Sequence, residues 1–255
     1  MAGDLFDLSG RVAFVTGAAR GLGQAAAVGL ARYGADLVCV DLAAEACAET
    51  VQRVRELGRR AVALGCDVTD EPAVRASAER AVAELGHLDV LFNGAGITRR
   101  VPSTDISPAD WRRVVEVDLV GTFLCCQAIG RYMVAQRKGS IVNVSSIAGL
   151  GGLGRGNTAY SASKAGVIGL TRELAVEWAP FGVRVNALAP VQFRTPFIAP
   201  ILADEELTQR MLAKIPLGRM GEPEEIVGPV VFLASDAASM VTGHVLAVDG
   251  GYLSQ

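Results

Sequence analysis

Seven short, almost wholly apolar runs punctuate the chain, at 12–15, 37–40, 61–64, 90–92, 141–144, 183–188 and 245–248. Each is too short for a buried helix and rich in Val, Ile and Leu, as strands covered on both faces are. Between them, at 24–33, 45–57, 72–85, 111–136, 161–178 and 223–233, apolar residues recur at helical spacing among good helix formers. This alternation predicts an α/β fold, a Rossmann-type doubly wound parallel sheet of about seven strands with helices on both faces. Ligands of such a sheet bind outside the carboxyl ends of its strands. The stretch 190–216 carries Pro190, Pro196, Pro200 and Pro216 and keeps no period; it is expected to be a flexible substrate flap. No linker-like segment interrupts 1–255, so one domain is expected to hold both cofactor and catalytic residues.

Composition narrows the partners. The chain has 255 residues, 51% of them hydrophobic, enough to bury a sizeable core. A net charge of −3 and the absence of a Lys/Arg run point away from nucleic acid and anionic membrane, toward a small-molecule substrate. No window holds an uninterrupted membrane-length apolar run, and residues 1–10, with Asp4 and Asp7, lack the apolar centre of a signal peptide. A cytoplasmic location is therefore expected. The five cysteines (Cys39, Cys47, Cys66, Cys125, Cys126) are odd in number and lack C-x-x-C spacing, so they read as small core residues. With only His87 and His244 for imidazole ligands, no metal site is expected.

Two glycine-rich stretches compete for the role of phosphate cradle. The strict G-x-G-x-x-G lies in "GLGGLGRGNTAYSASK", at Gly149, Gly151 and Gly154, but no helical period opens directly from it. It reads as a mobile loop. The other, "TGAARGLG", follows the first strand directly and leads into an alanine-rich helix. There Gly17 can make the turn, Gly21 allow close approach of phosphate, and Gly23 pack helix on sheet. Asp41, at the end of the second strand, can accept both ribose hydroxyls of an adenosine and would repel a 2′-phosphate. NAD is thus favoured over NADP, with Arg20 in the turn as the group that could meet a 2′-phosphate.

The motifs "TGAARGLG", "CDVTD", "NGAG", "VNVSS", "YSASK", "VNALAP" and "GHVLAVDGG" run through nearly the whole chain. On them the protein resembles the short-chain dehydrogenase/reductase family. The resemblance implies that Arg20 and Leu22 join the three glycines at the cofactor, that Asp67 and Val68 hold the adenine, and that Asn93, Gly94 and Ala95 line the cofactor. It places Pro190 and Thr195 on the nicotinamide side, and implies a homotetramer built by the helices 111–136 and 161–178 and the C-terminal segment. Three positions depart from the family pattern. Gly94 stands where a second Asn is usual, which is expected to loosen the fourth strand's end; Val191 replaces a Gly, stiffening the flap's start. Asp118 replaces the Asn that holds a water in a proton relay to the lysine.

Tyr160 and Lys164 are four apart and so share one helix face. Oxidising a secondary alcohol needs a base for the hydroxyl proton, and a phenol, with an ordinary pKa of roughly 10, serves only if a cation stabilises its anion. Lys164 supplies that cation, and among 24 basic side chains only Lys138, Lys164 and Lys214 are lysines. Ser146 is placed to hydrogen-bond the substrate oxygen. Asp118, able only to accept when ionised, must work through a water's own protons or pair with Lys164. Arg99 and Arg100, in "GITRR", resemble the family's sugar-acid dehydrogenases and suit a carboxylate bidentately; Ser146 and Tyr160 complete the substrate contacts. The function expected is NAD-dependent interconversion of alcohol and ketone on a sugar acid or polyol. The alternatives are a 3-oxoacyl-carrier-protein reductase and, from another class, a non-catalytic NAD-binding regulator.

Overall fold

The first strand, β1 (Val12–Thr16), shows how the layers form. Its side chains alternate: Ala13 and Val15 enter one apolar layer, Val12 and Phe14 the other, and all are buried. The computed structural model describes residues 4–154 and 156–255. Six further strands join β1: β2 (Asp36–Asp41), β3 (Ala61–Gly65), β4 (Val90–Asn93), β5 (Gly139–Val144), β6 (Val183–Pro190) and β7 (Val245–Val248). They form one parallel sheet in the order β3-β2-β1-β4-β5-β6-β7. The chain winds outward through β2 and β3, then returns to lay β4 on the free edge of β1. That reversal opens a crevice at the carboxyl ends of β1 and β4, where doubly wound sheets take their ligands.

Helices α1 (Gly21–Arg32), α2 (Ala48–Glu56) and α9 (Val227–Ala234) cover one face through Leu30, Val54 and Val230. On the other face α3 (Glu71–Leu85), α5 (Gly121–Gln136) and α6 (Thr158–Trp178) contribute Ala78, Ile129 and Leu174. With both faces covered, the strands need no polar side, as their apolar runs predicted. All five cysteines lie in this buried interior. Among the described residues no helix is long and apolar enough to cross a membrane.

Two segments differ from the sequence expectation. The helix expected over 111–136 is two helices, α4 (Pro108–Val115) and α5, joined by a π-helical turn at Glu116–Val120. Such turns insert an extra residue without breaking the helical period, and they collect at functional sites. The stretch 190–216 is not irregular. It holds a 3₁₀ turn at Pro196–Ile198, then α7 (Ala199–Leu202) and α8 (Glu205–Leu212). Pro196 acts as a starter rather than a breaker: it sits in the first turn, where its missing N–H costs no hydrogen bond. Asp204 caps α8 by accepting the Leu207 N–H, and Ile198, Ile201, Met211 and Met220 form a small apolar cluster of their own.

Candidate active site

The glycine turn after β1 is shaped by contacts that leave no room for side chains. Gly17 has φ +68°, and a Cβ there would lie 2.9 Å from the Ala95 nitrogen; one on Gly23 would lie 2.0 Å from the Gly17 oxygen. The turn delivers α1 with Gly21, Leu22 and Gly23 in its first turn facing a cavity of about 340 Å³. Arg20, at the N-cap position, makes no side-chain capping bond. First-turn N–H groups with no side-chain cap, beside glycines that admit a close approach, suit a phosphate. The groups present therefore fit a dinucleotide.

The same cavity is lined by Arg20, Asp41, Asp67 and Val68 at the sheet's β2–β3 side and by Gly94, Ala95, Pro190 and Thr195 toward its middle. The Asp41 carboxylate is fixed at the end of β2, one oxygen accepting the Ala19 N–H at 3.0 Å and the other the Leu42 N–H at 2.9 Å. Asp67 accepts from the Thr69 backbone and hydroxyl, which hold its carboxyl below the ordinary range. Asn93 departs from expectation. Its side chain turns into the core, where Nδ2 donates to Asn143 Oδ1 at 2.8 Å, tying β4 to β5 instead of lining the cavity. Gly94 does not loosen the strand's end: the Gly94 and Ala95 N–H groups both donate to Thr16 Oγ1, at 3.1 and 3.2 Å, pinning β4 to β1. Val191, whose N–H donates to Val248 at 3.1 Å, continues the β6–β7 pairing.

Ser146, Tyr160 and Lys164 all line this cavity. The Ser145 hydroxyl donates to the Lys164 carbonyl at 2.8 Å, and a Cβ on Gly149 would lie 2.7 Å from that carbonyl. The end of β5 thus sets the depth of α6. Lys164 Nζ donates to the Val144 carbonyl at 2.9 Å and lies 3.2 Å from Asp118 Oδ2, with both side chains buried. Of the two roles open to Asp118, the structure holds the ion pair. The π-helical turn carries it there, and its other oxygen accepts the Ile97 N–H at 2.8 Å.

Electrostatics follow from this burial. Burial raises the Asp118 pKa, and Lys164 and the Ile97 N–H only partly offset that. Burial alone would lower Lys164, but Asp118 and Tyr160 outweigh it and leave its pKa above the ordinary value. Tyr160 also lies above its ordinary value. Burial is the main cause and Asp118 adds to it, against Lys164, a hydrogen bond with Ser146, and Arg100. Lys164 pulls the phenol down, as expected, but burial first, with Asp118 added, outweighs that pull.

The adjacent arginines separate. Arg100 is half-buried and lines the cavity. Arg99 is turned away: its side chain is 64% exposed and Nε lies 3.3 Å from Asp110, so it lies outside the lining. Sequence reasoning missed Arg113, Asn157, Gln192 and Phe197 in the lining. Only Asn157 carried a usable signal, standing one helical turn before Tyr160.

Residues 17–253 match a family model described as enoyl-(acyl carrier protein) reductase. The chain is 50% identical to the cis-4-hydroxycyclohexanecarboxylate dehydrogenase of Sinomonas cyclohexanicum, over 95% of this chain and 96% of that protein. Among solved structures, it superposes on a short-chain type dehydrogenase/reductase from Mycobacterium marinum with TM-score 0.95 and 36% identity, covering 99% of both chains. A gluconate 5-dehydrogenase from Burkholderia cenocepacia, solved with NADP and tartrate, gives TM-score 0.96 and 36% identity over 100% of both chains. Sheet order, glycine turn and the Tyr160–Lys164 helix agree with this likeness along the whole chain: the protein belongs to the short-chain dehydrogenase/reductase family of oxidoreductases and takes a nicotinamide cofactor.

Proposed function

We propose that this chain is an NAD(H)-dependent dehydrogenase that interconverts a secondary alcohol and a ketone on a hydroxy acid, with sugar acids as the leading class. The observation that carries the reading is the convergence of Ser146, Tyr160, Lys164 and Arg100 on one cavity beside the glycine turn. Bound nicotinamide supplies the hydride acceptor in oxidation and the donor in reduction. Ser146 holds the reacting oxygen, while Tyr160 takes the hydroxyl proton in oxidation and returns one in reduction. Because the phenol lies above its ordinary pKa, it is poised as a proton donor at neutral pH, and oxidation gains with rising pH. Lys164, fixed between Asp118 and the Val144 carbonyl, keeps a cation beside the phenol, 5.5 Å from its ring centre.

Asp41 supports NAD: a carboxylate held at the end of β2 matches ribose hydroxyls and opposes a 2′-phosphate. The gluconate 5-dehydrogenase relative holds NADP, so the ratio of kcat/KM for the two cofactors is the decisive measurement. NAD is favoured in the wild type, and Asp41→Ala moves the ratio toward NADP; a wild-type preference for NADP overturns the assignment. The two relatives named for a substrate, cis-4-hydroxycyclohexanecarboxylate and gluconate, are named for molecules bearing a carboxylate and a secondary alcohol, and Arg100, which follows the end of β4, is a lining guanidinium suited to the first. Arg100→Ala raises KM for a carboxylate substrate while Arg99→Ala leaves it unchanged; equal effects remove the clamp.

Segment 190–216 serves as the flap. Thr195 would touch a side chain at Gly21, and the Phe197 ring lies 6.0 Å from that of Tyr160, so its movement reaches cofactor and substrate together. We read the enzyme as a cytoplasmic homotetramer formed through α4–α5, α6 and the C-terminal segment, where Trp111, Phe123, Val176 and Leu253 are exposed.

A further inference from the structure

Asn157 occupies the N-cap position of α6 and does not cap it: its side chain accepts no N–H from the first helical turn. Asn is among the residues most favoured for that duty, so its abstention calls for a reason. The side chain is 8% exposed, and its Oδ1 is buried without a hydrogen-bond partner. An orphaned buried acceptor is costly unless something else satisfies it. Asn157, Tyr160 and Lys164 follow the i, i+3, i+7 spacing of one helix face. Lys164 is buried, Tyr160 half-buried, and Asn157 is buried at the wall shared by the catalytic cavity and the groove beside Pro102 and Gly152. One helical turn, roughly 5 Å, separates Asn157 from Tyr160 along the helix axis, so the two side chains meet different parts of one bound molecule.

We propose that Asn157 is a specificity-determining residue that reads a hydroxyl flanking the reacting carbon of the substrate. Resting on the proposed hydroxy-acid reading, this narrows the substrate to one carrying a polar group beside the alcohol that is oxidised. A hydroxyl is the matching group because, once the carboxamide turns about its last torsion toward the cavity, it can either donate to Oδ1 or accept from Nδ2. A carboxylate can only accept, and Arg100 already serves that role in the same lining. Gln192 agrees with a ligand rich in donors: it lines the same cavity from the segment after β6, and its Oε1 is also buried without a partner.

The test compares wild type, Asn157→Ala and the near-isosteric Asn157→Leu on three substrates with NAD: D-gluconate, followed at C5, its 4,6-dideoxy analogue, which lacks both hydroxyls flanking C5, and cis-4-hydroxycyclohexanecarboxylate. The expected result is a fall of about tenfold in kcat/KM for D-gluconate in either variant, the loss of one neutral hydrogen bond. The two substrates lacking the flanking hydroxyl change less than about twofold by the same reasoning. The melting temperature of the free protein holds or rises, because an unsatisfied acceptor has been removed; a purely structural Asn157 would lower it and depress all three substrates alike. Equal losses on all substrates, or no loss on D-gluconate, overturn the inference and leave the hydroxy-acid reading standing. So does wild-type turnover of the cyclohexane acid without turnover of D-gluconate. Absence of turnover on every substrate overturns both.

Discussion

Two glycine-rich stretches, 17–23 and 149–156, meet at one cavity and are held by opposite constraints. In the first, Gly17 and Gly23 are enforced by their neighbours, a Cβ on Gly23 striking the Gly17 carbonyl and one on Gly17 the Ala95 backbone, and Gly21 is set by its φ of +61°. In the second, side chains at Gly151, Gly152 and Gly154 would meet nothing within 4 Å. Among its glycines only those at the ends are gripped, Gly149 against Lys164 and Gly156 against Val101. The stretch that matches the dinucleotide fingerprint letter for letter is thus the slack one, and the imperfect match is the rigid one. Spacing of glycines describes a permission; packing decides whether the permission is used. A cradle for phosphate must be stiff to place N–H groups, whereas a loop beside a substrate benefits from room.

This contrast assigns cofactor binding to one side and substrate chemistry to the other, and substitutions can separate them. The largest effect is expected from Tyr160→Phe, which removes the proton carrier and leaves the ring. Turnover falls by about 10²–10⁴-fold, while NADH binding, followed by fluorescence, stays within a few-fold. Substantial retained turnover removes Tyr160 from the role of base. Gly23→Ala tests the opposite side: forcing a methyl into a filled backbone contact costs on the order of 1–3 kcal/mol and lowers both melting temperature and NADH affinity. If Gly23→Ala binds NADH normally, the cradle is not where the contrast places it.

Asp118→Asn sharpens the substrate side. Asp118 raises the Tyr160 pKa, and oxidation needs the phenol deprotonated, so removing the carboxylate lowers that pKa. The rising limb of kcat/KM against pH for oxidation should move to lower pH, with the enzyme still active. An unmoved limb, or one displaced upward, shows that the ion pair does not tune the phenol. The smallest effect is expected from Gly151→Ala, within about 0.5 kcal/mol of wild-type stability and with unchanged NADH binding. A large loss there means the loop is constrained by contacts that the free protein does not make.

Sequence alone specified the architecture because both of its signals are local. Strands buried on both faces write themselves as unbroken apolar runs, and helices as a period of 3.6, so β1 to β7 were legible to within two residues, while α1, α4 and α6 begin three residues earlier than their apolar period and α7 and α8 were not legible. Tyr160 and Lys164 were legible for the same reason: four residues on a helix fix a shared face before any folding is considered. The glycine turn was legible from its place after a strand. The family's habits supplied the adenine side, where Asp67 and Val68 do line the cavity.

Tertiary structure alone decided what lies between elements. That Asn93 faces Asn143 rather than the cavity depends on where β5 sits beside β4. That Asp118 pairs with Lys164 depends on a π-helical turn and on the depth of α6, neither of which leaves a mark on hydrophobic period. Arg99 and Arg100 are adjacent and chemically identical, and the fold sends Arg99 outward beside Asp110 of α4 and Arg100 into the cavity wall. That Asn157 stands at the N-cap of α6 with its Oδ1 unpartnered depends on what packs around it, in a stretch whose sequence reads as a loop. Local pattern fixes the direction of a side chain within its own element; the partner it finds is set by how elements pack, a distance the linear chain does not encode.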